Sequence, residues 1–90
     1  MTIIKDKEYL SQLLNILRFI KKDKPSASKK FEKELENKIQ NLSNSPYKFR
    51  ASIYFDNEVY RDLIFMGYTV IYKVETNKIL ILEIFKWQNR

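Results

Sequence analysis

Leu10, Leu13, Leu14, Leu17 and Ile20 recur at the i, i+3, i+4, i+7 spacing of one helix face, which predicts a helix from Glu8 to Lys22. Ile16 and Phe19 widen that face. Asp6 and Glu8 stand where the helix dipole favours acid, and Lys21 and Lys22 where it favours base. "DKPSAS" follows. Pro25 has no N–H and biases Lys24 away from the α region, so it ends one helix and can open the next at its first turn. The second helix then runs to about Ser43, with Ala27, Phe31, Leu35, Ile39 and Leu42 as its apolar stripe. Lys29, Lys30, Lys33 and Lys38 are left to face water or a partner. Small residues at Ser26, Ala27 and Ser28 allow close approach beside the turn, predicting an antiparallel hairpin of the two helices, Glu8–Ser43.

The period then changes to two. "YKFRASIYF" places Phe49, Ala51, Ile53 and Phe55 on one strand face and Lys48, Arg50, Ser52 and Tyr54 on the other. "DNE" turns the chain. "VYRDLIF" and "YTVIYKV" read as strands joined by "MG", where Gly67 can adopt positive φ. "ETNK" turns again, and "ILILEIF" is apolar on both faces, as expected of a covered, central strand. Within it Glu83 needs a partner or an edge. "TII" at residues 2–4 fits a short first strand. The expected fold is α+β: a short N-terminal strand, then the helical hairpin packed on one face of a twisted antiparallel sheet, in β-α-α-β-β-β order. Leu13, Leu17, Phe31, Leu35, Ile39, Ile71, Leu82 and Ile84 are its expected core.

Composition narrows the chemistry. Ninety residues, 44% hydrophobic and 31% charged, suit one small domain over residues 1–90. With no Cys and no His, disulfides, the usual zinc sites and His-dependent nucleophilic sites are all excluded. No metal and no cofactor is expected. No apolar run reaches the roughly 18 residues of a membrane helix. "MTIIKDKEY" lacks a signal-peptide core, so the cytoplasm is the expected compartment, without membrane association. The net charge is +6, and all of the excess lies in residues 1–50, with 12 Lys/Arg against 6 Asp/Glu. That bias suits an acidic partner, and equally a plain solvated surface.

In this order, "FIKKDKPSASKKFEKELENKIQNLSNSP", "YRDLIFMGYTVIYKV" and "ILILEIF" resemble the RelE/ParE superfamily, small cytoplasmic toxins of type II toxin–antitoxin systems. The resemblance spans nearly the whole chain. Asp23, Pro25 and Ala27 with Phe31 and Leu35 carry it in the helices. Tyr60-Arg61, Gly67-Tyr68, Ile71-Tyr72 and Ile84-Phe85 carry it in the strands. It implies growth inhibition, plasmid stabilisation and a cognate antitoxin, in a homodimer or a toxin–antitoxin hetero-oligomer. RelE-like members cut mRNA on the ribosome, whereas ParE-like members poison DNA gyrase. The nuclease reaction needs a base, cations around the phosphorane and an acid for the leaving oxygen. Lys48, Arg50 and Arg61 match the family's basic positions, and Lys86 is a fourth candidate. Thr69 stands where many nucleases have Arg, and "FKWQNR" offers Trp87 but neither Tyr nor His. These departures favour the gyrase-poisoning side, so that the chain is not expected to be an enzyme. Lys29, Lys30 and Lys33 are the expected antitoxin-binding residues.

Structural readings stand beside these. Arg61 can pair with Asp62, Glu58 or Glu83. Lys48 and Arg50 can form a solvated strand face shared with Arg61, from which Asp62 points away. Trp87 can cap the core, and Tyr54, Tyr60, Tyr68 and Tyr72 can pack the sheet. A basic nucleic-acid-binding module, with those tyrosines stacking bases, is the remaining alternative.

Overall fold

A computed structural model describes residues 1–86. Strand β1 (Thr2–Lys5) leads into helices α1 (Lys7–Asp23) and α2 (Pro25–Gln40), the latter closed by a 3₁₀ turn over Asn41–Ser43. Strands β2 (Arg50–Ala51), β3 (Tyr60–Phe65), β4 (Tyr68–Val74) and β5 (Lys78–Lys86) follow. The five form one sheet in the order β1-β5-β4-β3-β2. The α+β architecture matches the expectation, with one refinement. β1 pairs with β5 in parallel, so the sheet is mixed. Among the described residues no helix is long and apolar enough to cross a membrane.

Local chemistry explains the helical hairpin. The Asp6 carboxylate accepts the Glu8 backbone N–H and caps α1. Lys24 is extended (φ −151°, ψ 102°), as the residue before a proline should be, and Pro25 opens α2. The small residue Ser28 lets the helices meet. It is buried, and its hydroxyl donates to the Leu17 carbonyl at 2.9 Å.

The core lies between α2 and the sheet. Phe31, Leu35, Ile39 and Leu42 pack on Leu63, Phe65, Val70, Tyr72, Ile79, Ile81 and Ile84. Leu13 and Leu17, expected in the core, are only half-buried at its margin. Among the described residues nothing packs outside α1, and of its residues only Tyr9 is fully covered. Leu82 is also half-buried, and here the reason is a β-bulge. Ile71 pairs with Glu83 and Tyr72 with Ile81, so Leu82 has no partner of its own across the ladder. The extra residue brings Ile81 and Ile84 both to the helix side, and Gln12 of α1 accepts the Ile84 N–H at 2.7 Å.

The expected strand over "YKFRASIYF" is reduced to Arg50–Ala51. Side chains take the backbone donors that a strand would have used. The Asp62 carboxylate accepts the Ile53 N–H at 3.1 Å, and the Ser52 hydroxyl accepts the Tyr54 N–H at 3.2 Å. The alternation is inverted as a result. Ser52 is buried, while Ile53 is 66% exposed. Residues 52–59 instead cross the sheet face that the helices leave open. There Tyr54 packs edge-on to Phe85 and Phe55 stacks on Tyr60. That face consequently buries Asp62, Thr69 and Ile71.

Candidate functional site

The four candidate catalytic residues do not converge. Arg50 pairs with Asp62 across the β2–β3 ladder, and Ala51 with Arg61. Neighbours in a strand point to opposite faces, so Arg50 and Arg61 lie on different sides of the sheet. The expectation that Arg61 shares a face with Arg50 while Asp62 points away is therefore reversed. Arg50 forms an ion pair with the buried Asp62 at 3.3 Å on the open face.

Arg61 is held on the helix side by the main chain. Its guanidinium donates to the carbonyls of Glu58 (2.9 Å) and Phe49 (3.1 Å). It also lies 4.7 Å from the centre of the Tyr47 ring. Its partners are thus carbonyls and a ring face rather than a carboxylate of Asp62, Glu58 or Glu83. Tyr72 lies opposite it, with its hydroxyl donating to the Pro46 carbonyl at 2.7 Å. Burial pushes the Tyr72 phenol up to about 12, with Arg61 pulling in the other direction. The Tyr72 hydroxyl proton is thus already committed to a main-chain carbonyl.

Lys48 extends over the Phe49 ring and shares a small hollow with Lys38 at the end of α2. Lys86 lies at the far end of β5, its ammonium 5.9 Å from the centre of the Tyr68 ring. Thr69 occupies the middle of the open face but is fully buried, and its hydroxyl has no hydrogen-bond partner among the described residues. The four cations are therefore dispersed over both faces and both ends of the sheet. Trp87 and Arg90 lie outside the described residues.

The lysines assigned to antitoxin binding are exposed, but α2 divides them. Lys29 and Lys33 flank a groove of about 480 Å³ between α1 and α2, floored by Tyr9, Leu13 and Leu35. Leu10 forms part of its apolar lip and is 48% exposed. Burial, then the carboxylates of Glu36 and Glu32, hold the Tyr9 phenol above its usual range. Lys30 projects from the other flank of α2, toward the β3–β4 turn and Lys86. The sequence offered only one clue to the buried Asp62, an acid inside the apolar run "YRDLIF". Its role as the anchor of residues 52–59 depends on a register that periodicity does not reveal.

The tyrosines proposed to stack bases are occupied. Tyr72 and Tyr68 are buried, Tyr60 is stacked on Phe55, and Tyr54 lies against Phe85. A helical hairpin on one face of this sheet is the arrangement that the RelE/ParE resemblance implies. The family profile described as "ParE toxin of type II toxin-antitoxin system, parDE" matches residues 3–88, and the chain belongs to that family. None of the curated proteins matches the sequence significantly. Among solved structures, a chain of the "Chromosomal ParDE TA system from P. aeruginosa" superposes with a TM-score of 0.80. It is 16% identical, and the alignment covers 96% of this chain and 95% of that one, so the likeness is one of fold.

Proposed function

We propose that this toxin inhibits growth by binding DNA gyrase in the cytoplasm, rather than by cutting mRNA, and that an acidic antitoxin neutralises it. The observation that carries the choice of target is the state of Arg61. Both hydrogen bonds made by its guanidinium end on main-chain carbonyls, on the face of the sheet away from Arg50. A phosphorane needs several cations around one point, together with a proton donor. Here the cations are dispersed, Arg50 is paired, and Thr69 supplies no charge. Ribosome-dependent mRNA cleavage is the second reading, favoured by the presence of Arg61 itself in the superfamily position.

The antitoxin is expected along the groove between α1 and α2. An acidic amphipathic segment can lay its apolar face on Leu10 and Leu13, while Lys29 and Lys33 attract its carboxylates. The target is tested with purified DNA gyrase. Adding this chain should inhibit supercoiling, and adding the product of the neighbouring antitoxin gene should restore it. Supercoiling that continues at wild-type rates with excess toxin would refute gyrase as the target.

A further inference from the structure

On the opposite flank of α2 a second, smaller cleft of about 350 Å³ lies between the end of the helical hairpin and the β3–β4 turn. Its floor is apolar, made by Ile20, Phe31 and Tyr68, and its rim carries Lys30, Lys86 and Glu34. A hollow containing the 68%-exposed Phe19 adjoins it through Ile20 and Ala27 and adds Lys22, Lys24 and Asp23. The two together hold four cations against two acids.

Met66 forms one lip of this cleft. It occupies the first position of a two-residue turn in which both residues have positive φ, 49° for Met66 and 84° for Gly67. That geometry is the type I′ hairpin turn, whose first position favours Asn, Asp or Gly. A long side chain with a Cβ is disfavoured there. Burial gives nothing in return, because Met66 is 67% exposed. The turn therefore carries a flexible, polarisable apolar side chain where the fold has no use for it. It overhangs an apolar cleft, and methionine is well suited to packing against a partner.

We infer that this cleft receives an apolar anchor side chain from the antitoxin. The anchor packs between Met66, Phe31 and Tyr68, and carboxylates beside it meet Lys30 and Lys86. The inference rests on the toxin–antitoxin reading above and adds a second contact to it, across α2 from the Lys29–Lys33 groove. It also explains why adjacent lysines on α2 serve different flanks.

The test uses the purified full chain and the purified product of the adjoining antitoxin gene, with binding kinetics measured at low and physiological salt. Met66→Asn suits the turn, so its melting temperature should equal or exceed wild type. Its complex should nevertheless dissociate about tenfold faster, as expected when an anchor is lost. Lys30→Glu with Lys86→Glu should slow association, most at low salt, and by more than the remote, charge-matched reversal Lys38→Glu with Lys48→Glu. If Met66→Asn dissociates at the wild-type rate, or the cleft reversal affects association no more than the remote one, the cleft is not an antitoxin site. Were the wild-type chain not to bind the adjoining product at all, the toxin–antitoxin pairing would fail, and this inference with it.

Discussion

Replacing Phe31 with alanine is expected to destabilise the domain by about 3–5 kcal/mol. Phe31 is 5% exposed and joins the helical hairpin to the sheet. Its ring meets those of Phe65 and Tyr68 edge-on, with centres 5.1 and 5.4 Å apart. Alanine removes both aromatic contacts and leaves a cavity beneath α2 that Leu35 and Ile39, one and two turns further along, cannot fill. Small domains have only about 5–15 kcal/mol of net stability. The melting temperature should therefore fall by more than roughly 10 °C, or the folded state should be lost. A variant that melts within a degree or two of wild type would contradict the placement of Phe31 in the core.

The second large effect is expected at Asp62, and it should be local as well as global. One carboxylate oxygen of Asp62 accepts from both the Arg50 guanidinium and the Ile53 N–H, while the other is buried without a hydrogen-bond partner among the described residues. Arg50 is half-exposed, so losing that ion pair alone would cost little. The bond to Ile53 matters more, because it fastens residues 52–59 to the open face. Asp62→Ala should cost about 1–3 kcal/mol, the range for removing a buried acceptor from its donor. The loop should also become accessible to protease between Ile53 and Glu58, before the rest of the domain. Equal stability together with equal protease resistance would show that Tyr54, Phe55 and their aromatic partners hold the loop without Asp62.

These two residues also mark how far the sequence could be read. Phe31 belongs to a 3.6-residue stripe, and helical periodicity identifies its buried face directly. The break at Pro25, the acidic start of the first helix at Asp6 and Glu8, and the Met66-Gly67 turn are local chemistry and were legible for the same reason. Strands β3 and β4 followed from apolar stretches joined by the Met66-Gly67 turn, and β5 from a run that is apolar on both faces. Asp62 was not legible as an anchor, because its role arises from pairing with Arg50 twelve residues earlier. The residues after Ala51 alternate like a strand, yet side-chain oxygens capture their N–H groups, and only the fold brings Asp62 within reach. The bulge at Leu82 had a similar cause, since one unpaired residue changes which side chains face the helices without altering the apolar run. The cations were misplaced together for the same reason: Arg50 and Arg61 are each legible as basic positions, but only the register sends them to opposite faces.

The claim that this toxin binds its target rather than cutting RNA is tested most directly by primer extension on translated mRNA after the chain is induced in cells. The separation of Arg50 from Arg61, and the pairing of each, predicts full-length extension products under conditions that arrest growth. Discrete cuts within codons at the ribosomal A site, absent when Arg61→Ala is induced to the same level, would contradict it and make Arg61 part of a nuclease centre.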